Sequence, residues 1–374
     1  MDRDEMNGDL RDLLQAAFGE PPHQVTVAAV RRRLARRRVM EAVAGTAVVA
    51  AVIAAAIPAL GGVFGSHGPG AAPGASRAHR FIAYVANTEL GTVTPIRTAT
   101  NTALSPIKTG PNPDAIAITP DGKTAYVASY VYHQGTVTPI RTATNTPLAP
   151  IKTGRSPAAI AITPDGKTAY VANFDSGTVT PIRTATNTAL SPVKAGPHPD
   201  AIAITPDGRT AYVANDVSPR GTVTPIRTAT NTALSPIKTG GGPGAIAITP
   251  DGRTAYVVNG TGTVIPIRTA TNTALPPVKT GGDAHAIAIT PDGKTAYVAN
   301  GSRTVTPIRT ATNTVLPPVK TGLGPGSIAI TPDGKAAYVA NFLQGTVTPI
   351  RTATNTALPP VKTGGNPDVI AITP

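Results

Sequence analysis

The chain has 374 residues, enough for two or three average domains, but 37 Gly and 39 Pro with only 14% charged residues depart from the composition of an ordinary enzyme. A hydrophobic fraction of 41% argues against a disordered chain, and the absence of Cys excludes disulfides, thiolate metal sites and thiol nucleophiles. The net charge of +13 is unevenly placed: residues 1–41 hold eight Arg against seven acids, whereas the remainder holds 25 Lys and Arg against 13 Asp and Glu.

The first predicted element is a helix over 9–18, where Leu10, Leu13, Leu14, Ala17 and Phe18 share one face at helical spacing. Pro21 and Pro22 end it. A second short helical stretch from Thr26 leads into Arg31, Arg32, Arg33, Arg36, Arg37 and Arg38. Ala42 to Phe64 then runs 23 residues without a charge. At 1.5 Å rise, roughly 20 apolar residues cross a bilayer core. Arginines directly before such a run predict an N-inside, C-outside orientation. The organisation read here is a cytoplasmic helical and basic segment (1–38), a transmembrane signal-anchor (39–64), a flexible linker (65–80) and a final region (81–374).

Two alternatives attach to this N-terminal part. Cleavage near Ala59 would make the run a signal peptide and the protein secreted, although signal-peptide apolar regions usually span about 7–15 residues. A twin-arginine signal at Arg36 and Arg37 is interrupted by Glu41. The order of short helix, arginine block and Ala-rich span resembles membrane-anchored regulators such as anti-sigma factors, without the His and Cys zinc ligands of many of them. An amphipathic helix on the inner leaflet, or an export leader, is the simpler reading.

From residue 81 onward, internal repetition dominates. RTATNT occurs seven times, from Arg97, Arg141, Arg183, Arg227, Arg268, Arg309 and Arg351. Tyr-Val followed by Ala-Asn or a close variant also occurs seven times, from Tyr84, Tyr126, Tyr170, Tyr212, Tyr256, Tyr297 and Tyr338. Each copy holds four strand-like pieces: a (AIAIT), b (TAYVAN), c (GTVTPIR) and d (ALSPIKTG). Pro-Asp-Gly joins a to b, and Thr-Asn-Thr joins c to d. Four short antiparallel strands per repeat of this length predict an all-β, seven-bladed β-propeller over 81–374. The first copy begins at strand b (FIAYVAN) and the last ends at strand a (VIAIT). Pairing of the two chain ends would complete one blade and close the ring.

The motifs YVAN, ITPDGKTAYV and TATNT resemble the YVTN-type β-propeller repeat of surface-layer and cell-envelope proteins. This chain departs from that pattern in two places. Arg97 and its counterparts stand where the family usually has an acid. Pro95, Pro139, Pro181, Pro225, Pro266, Pro307 and Pro349 interrupt strand c. Since proline removes a ladder donor, strand c is expected to bulge or pair poorly there.

Chain direction alternates through a blade, so a–b and c–d turns share one face (the turn face), and b–c and d–a loops share the other (the loop face). The copies differ almost entirely on the loop face. Only there can sevenfold equivalence break, so the candidate ligand-binding residues are Tyr130, Tyr132, His133, Arg155, Phe174, Asp175, His198, Arg220, His285 and Phe342. The plainer reading is that loop tips tolerate change.

Catalytic groups are not evident. His133, His198 and His285 fall in loops of three blades without accompanying carboxylate spacing, so no metal and no cofactor are expected. Asp121, Asp165, Asp207, Asp251, Asp292 and Asp333 occupy the same turn of different blades and are expected to be turn formers. Asn259-Gly-Thr261 and Asn300-Gly-Ser302 match a glycosylation sequon but read as hairpin turns. Rings of Arg in strand c and Lys in strand d would attract polyanions, whereas specific nucleic-acid reading lacks aromatic platforms.

The expectation is a monomeric, membrane-anchored, cell-surface propeller that binds an envelope protein or anionic cell-surface polymer and performs no chemistry. The uniform Ala-Ile-Ala-Ile strands leave its channel chemically poor. The alternatives are a lactonase-like or streptogramin-lyase-like propeller enzyme, and a transmembrane regulator signalling through its cytoplasmic helix.

Overall fold

The computed structural model describes residues 82–87, 90–97, 102–131, 134–301 and 303–362. The expected N-terminal helices, membrane span, linker and closing VIAIT segment lie outside the described residues. Among those described, no helix is long and apolar enough to cross a membrane.

Seven antiparallel sheets follow one another along the chain, and the protein is a seven-bladed β-propeller. In blade 3, strand a is Pro157–Ile162, b is Thr168–Asn173, c is Thr178–Arg183, and d comprises two short pieces, Thr188–Ala189 and Val193–Lys194. Strands a of consecutive blades 2 to 7 adjoin one another and so surround the central axis. Blade 1 shows strands b, c and d, Ile82 to Lys108.

The core lies between blades. Tyr126 and Ala128 of strand b in blade 2 pack with Ile160, Val171 and Ile182 of blade 3. The alternate residues Ala125 and Val127 pack with Tyr84 and Val93 of blade 1. Period-two alternation therefore buries both faces of strand b, which is why it carries no charge.

Each of these tyrosines also reaches past its own sheet. The hydroxyls of Tyr84, Tyr126, Tyr170, Tyr212, Tyr256 and Tyr297 donate to Asn145, Asn187, Asn231, Asn272, Asn313 and Asn355 Oδ1 at 2.6–2.7 Å, each in the next blade's c–d turn. Those six asparagines hold φ of 52–55°, the left-handed region that Asn tolerates better than most residues. One side chain thus shapes a turn and receives its neighbour's phenol. Burial pushes all six phenol pKa values up to about 12.

The strand c prolines do not produce the expected bulge. Strand b pairs with strand c in unbroken register through Tyr170 opposite Pro181. Pro181 O accepts from Leu190 N at 2.8 Å, so its missing donor also faces strand d. There strand d is itself interrupted, at Leu190-Ser191-Pro192. The irregularity falls between c and d, where it splits the outermost strand in two.

Candidate functional site

Two faces separate the chemistry. On the turn face, Asp121 Oδ1 accepts the Thr119 hydroxyl at 2.6 Å and the Lys123 amide at 3.1 Å, while Oδ2 lies 3.4 Å from Lys123 Nζ. The Thr119 hydrogen bond, then that of the Lys123 amide, holds this carboxyl below the usual range. The other five turn aspartates repeat the Thr and backbone contacts. They are turn formers, as expected. Thr184 Oγ1 then ties the c–d turn to Gly166 O of the a–b turn at 2.6 Å.

On the loop face, strand a starts two residues before the AIAIT core. Its first residue pairs with the last of strand b, as Pro157 does with Asn173, and the register then shifts before Ala159. The same shift recurs in blades 2 and 4–7. A residue skipped in this way is a bulge, a device that re-aims a side chain beside a site. The bulged residues are Asp114, Ala158, Asp200, Gly244, His285 and Gly326. Ionisable groups therefore stand on blades 2, 4 and 6, separated by small residues, at the loop-face end of the strands around the axis. Asp114 and His285 are exposed and Asp200 is half-buried. Asp368 holds the corresponding position in sequence and lies outside the described residues.

Sequence reasoning included His285 but missed Asp114 and Asp200, because without the bulge nothing set these two apart from the other residues of their loops. Aligning the copies on Ile-Ala-Ile would have exposed the series.

Four candidates do come together at the junction of blades 3 and 4. Phe174 stacks on His198 with ring centroids 4.7 Å apart and planes at 16°. Arg155 Nη2 donates to Asp175 O at 3.2 Å, and Ser156 Oγ donates to Asp175 Oδ2. His198 takes a left-handed φ of 52°, and its Nδ1 is buried with no hydrogen-bond partner. The short turn Phe174–Ser176 is clipped to the preceding loop by Ser176 Oγ, which accepts from Arg155 N at 2.7 Å. Phe342–Gln344 repeats the device, with Gln344 Oε1 accepting from Leu323 N at 3.0 Å.

The remaining candidates are spread around the face. Tyr130 closes on Asn112, whose Nδ2 donates to Tyr130 O at 3.2 Å, and exposed Arg220 bridges to Gly241. His285 and Phe342 belong to blades 6 and 7. Tyr132 and His133 lie outside the described residues. Among those described, no cluster of three or more His, Asp or Glu could hold a metal.

Beneath the loops a second clamp joins blades. Asn215 Nδ2 donates to Ala195 O of the previous blade at 2.9 Å, and the Thr224 hydroxyl donates to the same oxygen. Asn259 repeats this to Thr239 O at 3.0 Å. The following glycine must approach closely: a Cβ on Gly154 would lie 2.8 Å from Asn173 Cβ.

The family described as lactonase, 7-bladed β-propeller, matches residues 91–302 and 182–363. No curated protein matches the chain. Among solved structures, Kuenenia stuttgartiensis hydrazine synthase is 25% identical, with a TM-score of 0.62 over 73% of this chain and 92% of that one. A candidate 6-phosphogluconolactonase from Bacteroides fragilis is 21% identical, with a TM-score of 0.60 over 79% and 99%. The dihydro-heme d1 dehydrogenase NirN is 17% identical, with a TM-score of 0.63 over 75% and 63%.

The family match overturns the reading of a non-catalytic binding scaffold and, with it, the expectation that the protein is not an enzyme. The error has a physical source. Uniform Ala-Ile-Ala-Ile made the axis look chemically poor, but the bulges carry acid and imidazole at its mouth. The propeller repeat resemblance holds, while the matching family is the lactonase one rather than a surface-layer one.

Proposed function

Because the chain belongs to the seven-bladed β-propeller lactonase family, we propose that it hydrolyses a cyclic ester at the loop-face mouth of its axis. The family match, which reaches from residue 91 to 363, carries this reading. The alternating bulged Asp114, Asp200 and His285 support its placement.

In this reading water adds to the ring carbonyl carbon, the ring C–O bond breaks, and the departing alkoxide takes a proton to give a hydroxy acid. His285 removes the water proton as general base, a role worth about 10²–10⁴-fold. Asp114 and Asp200 orient water and substrate hydroxyls. Exposed Arg155 and Arg220 attract an anionic substrate substituent, and Tyr130, Phe174 and Phe342 supply apolar walls.

The test is pH-stat hydrolysis by the full chain of 6-phosphogluconolactone, the substrate named for the Bacteroides protein, and of an unphosphorylated sugar lactone. His285→Ala and Asp114→Asn are expected to lower kcat/KM about 10²-fold without moving the melting temperature. Rates no higher than the uncatalysed ring opening for both lactones would sink the proposal.

A further inference from the structure

We propose that the turn face docks on anionic lipid headgroups, leaving the loop face directed into solvent. The proposal rests on the N-terminal uncharged run being a membrane anchor and is independent of the lactonase reading.

Two basic rings surround the propeller. Arg141, Arg183, Arg227, Arg268, Arg309 and Arg351 are exposed at the turn-face end of strand c. Lys152, Lys194, Lys238, Lys279 and Lys320 stand at the opposite end of the rim, since Lys194 pairs with Thr178 at the start of strand c. The turn aspartates do not cancel the arginines. Each already faces its own Lys or Arg neighbour at 3.4–3.9 Å. Among the described residues the turn face thus presents twelve cations to six carboxylates.

The point of chain entry selects between the rings. The first strand begins at Ile82, whose register partner is Arg97, so the chain joins the propeller at the turn face. Only residues 65–80 separate it from the uncharged run 42–64, and sixteen residues span at most about 55 Å. A tether of that length holds the arginine ring at high effective concentration beside the bilayer. With ionic screening over about 8 Å at physiological salt, only the near ring would sense the headgroups. The most exposed leucines, Leu90 at 76% and Leu343 at 62%, lie on the other face, and Val315 beside the arginine ring is only 39% exposed, so contact here is by charge rather than insertion.

The Cys-free chain allows single reporters. Full-length protein carrying Ala185→Cys (turn face) or Leu343→Cys (loop face) is labelled with a fluorophore. It is then reconstituted into vesicles of phosphatidylcholine, with or without phosphatidylglycerol, containing headgroup spin-labelled lipid. Quenching at 185 is expected to rise severalfold with phosphatidylglycerol and to vanish at high salt, with little change at 343. Replacing Arg183, Arg227, Arg268 and Arg309 by Gln should remove the dependence, whereas Gln at Lys194, Lys238, Lys279 and Lys320 should preserve it. Equal quenching at both positions, or sensitivity to the lysine set alone, would overturn the proposal. So would binding of soluble polyphosphate through the same arginines without any phosphatidylglycerol effect. Failure of the protein to remain with vesicles would remove its anchoring premise. Lactone turnover, read separately, is expected to be unchanged by the arginine set.

Discussion

The two faces of the propeller are built from the same repeat, yet one is fixed and the other varied. On the turn face the Thr and Asp of TPDGK and the first Thr and the Asn of TATNT each have a partner to meet. Asp165 closes its own turn, Thr184 ties that turn to the next, and Asn187 receives a phenol from the neighbouring blade. On the loop face the fixed contacts lie one layer down, in the Asn–Gly clamps, and the tips above them are free to differ. Uniformity thus marks where blades hold one another, and variation marks the tips that carry no such contact.

That contrast can be broken from the turn face first. The largest effect is expected at high pH. Burial raises the folded-state pKa of six phenols from 10.0 to about 12, so their contribution to stability is complete below pH 10 and is lost as pH rises towards 12. Thermal melts from pH 8 to 12 should fall steeply across that interval, with tyrosinate absorbance appearing together with unfolding. Early ionisation of a still-folded protein would contradict the inter-blade role.

Single substitutions should follow in order. Tyr170→Ala is expected to cost about 3–5 kcal/mol by denaturant unfolding, since it empties an inter-blade core position. Gly154→Ala should cost about 1–3 kcal/mol, because the new methyl collides with Asn173. Gly282→Ala, with nothing within 4 Å, should change stability by no more than about 0.5 kcal/mol. Asn231→Gly keeps the left-handed turn but removes the acceptor for Tyr170, a loss of about 1 kcal/mol. In a cycle with Tyr170→Phe the two losses should overlap rather than add. Leu343→Ala on the loop face, where the side chain is 62% exposed, should leave the melting temperature unchanged.

Much of the fold was legible because the repeat displays its own period, its turn residues and its strand alternation. The Tyr–Asn bridges were not, since Tyr126 and Asn187 lie 61 residues apart and local patterns do not reach that far. The strand c prolines misled for a related reason. A missing donor matters only on the side it faces, and Pro181 faces an outer strand already broken at Pro192. At the candidate site, variation between copies drew attention to the loop face and to His285, where the proposed site lies. The inner strand was started two residues late, which hid the bulge that presents Asp114 and Asp200.

The tyrosine hydrogen bonds of blades 1–6 all lean the same way, each reaching forward to the successor blade, whereas the clamps of Asn215, Thr224 and Asn259 reach back to the blade before. The two faces therefore support the ring with opposite polarity. Local melting of a blade strips the hydrogen-bond acceptor from the blade before it but leaves the phenol of the blade after it satisfied. On the turn face, loss of these bonds should accordingly spread from later blades towards earlier ones, whereas on the loop face loss of a carbonyl such as Ala195 O strips the clamp of the blade after it.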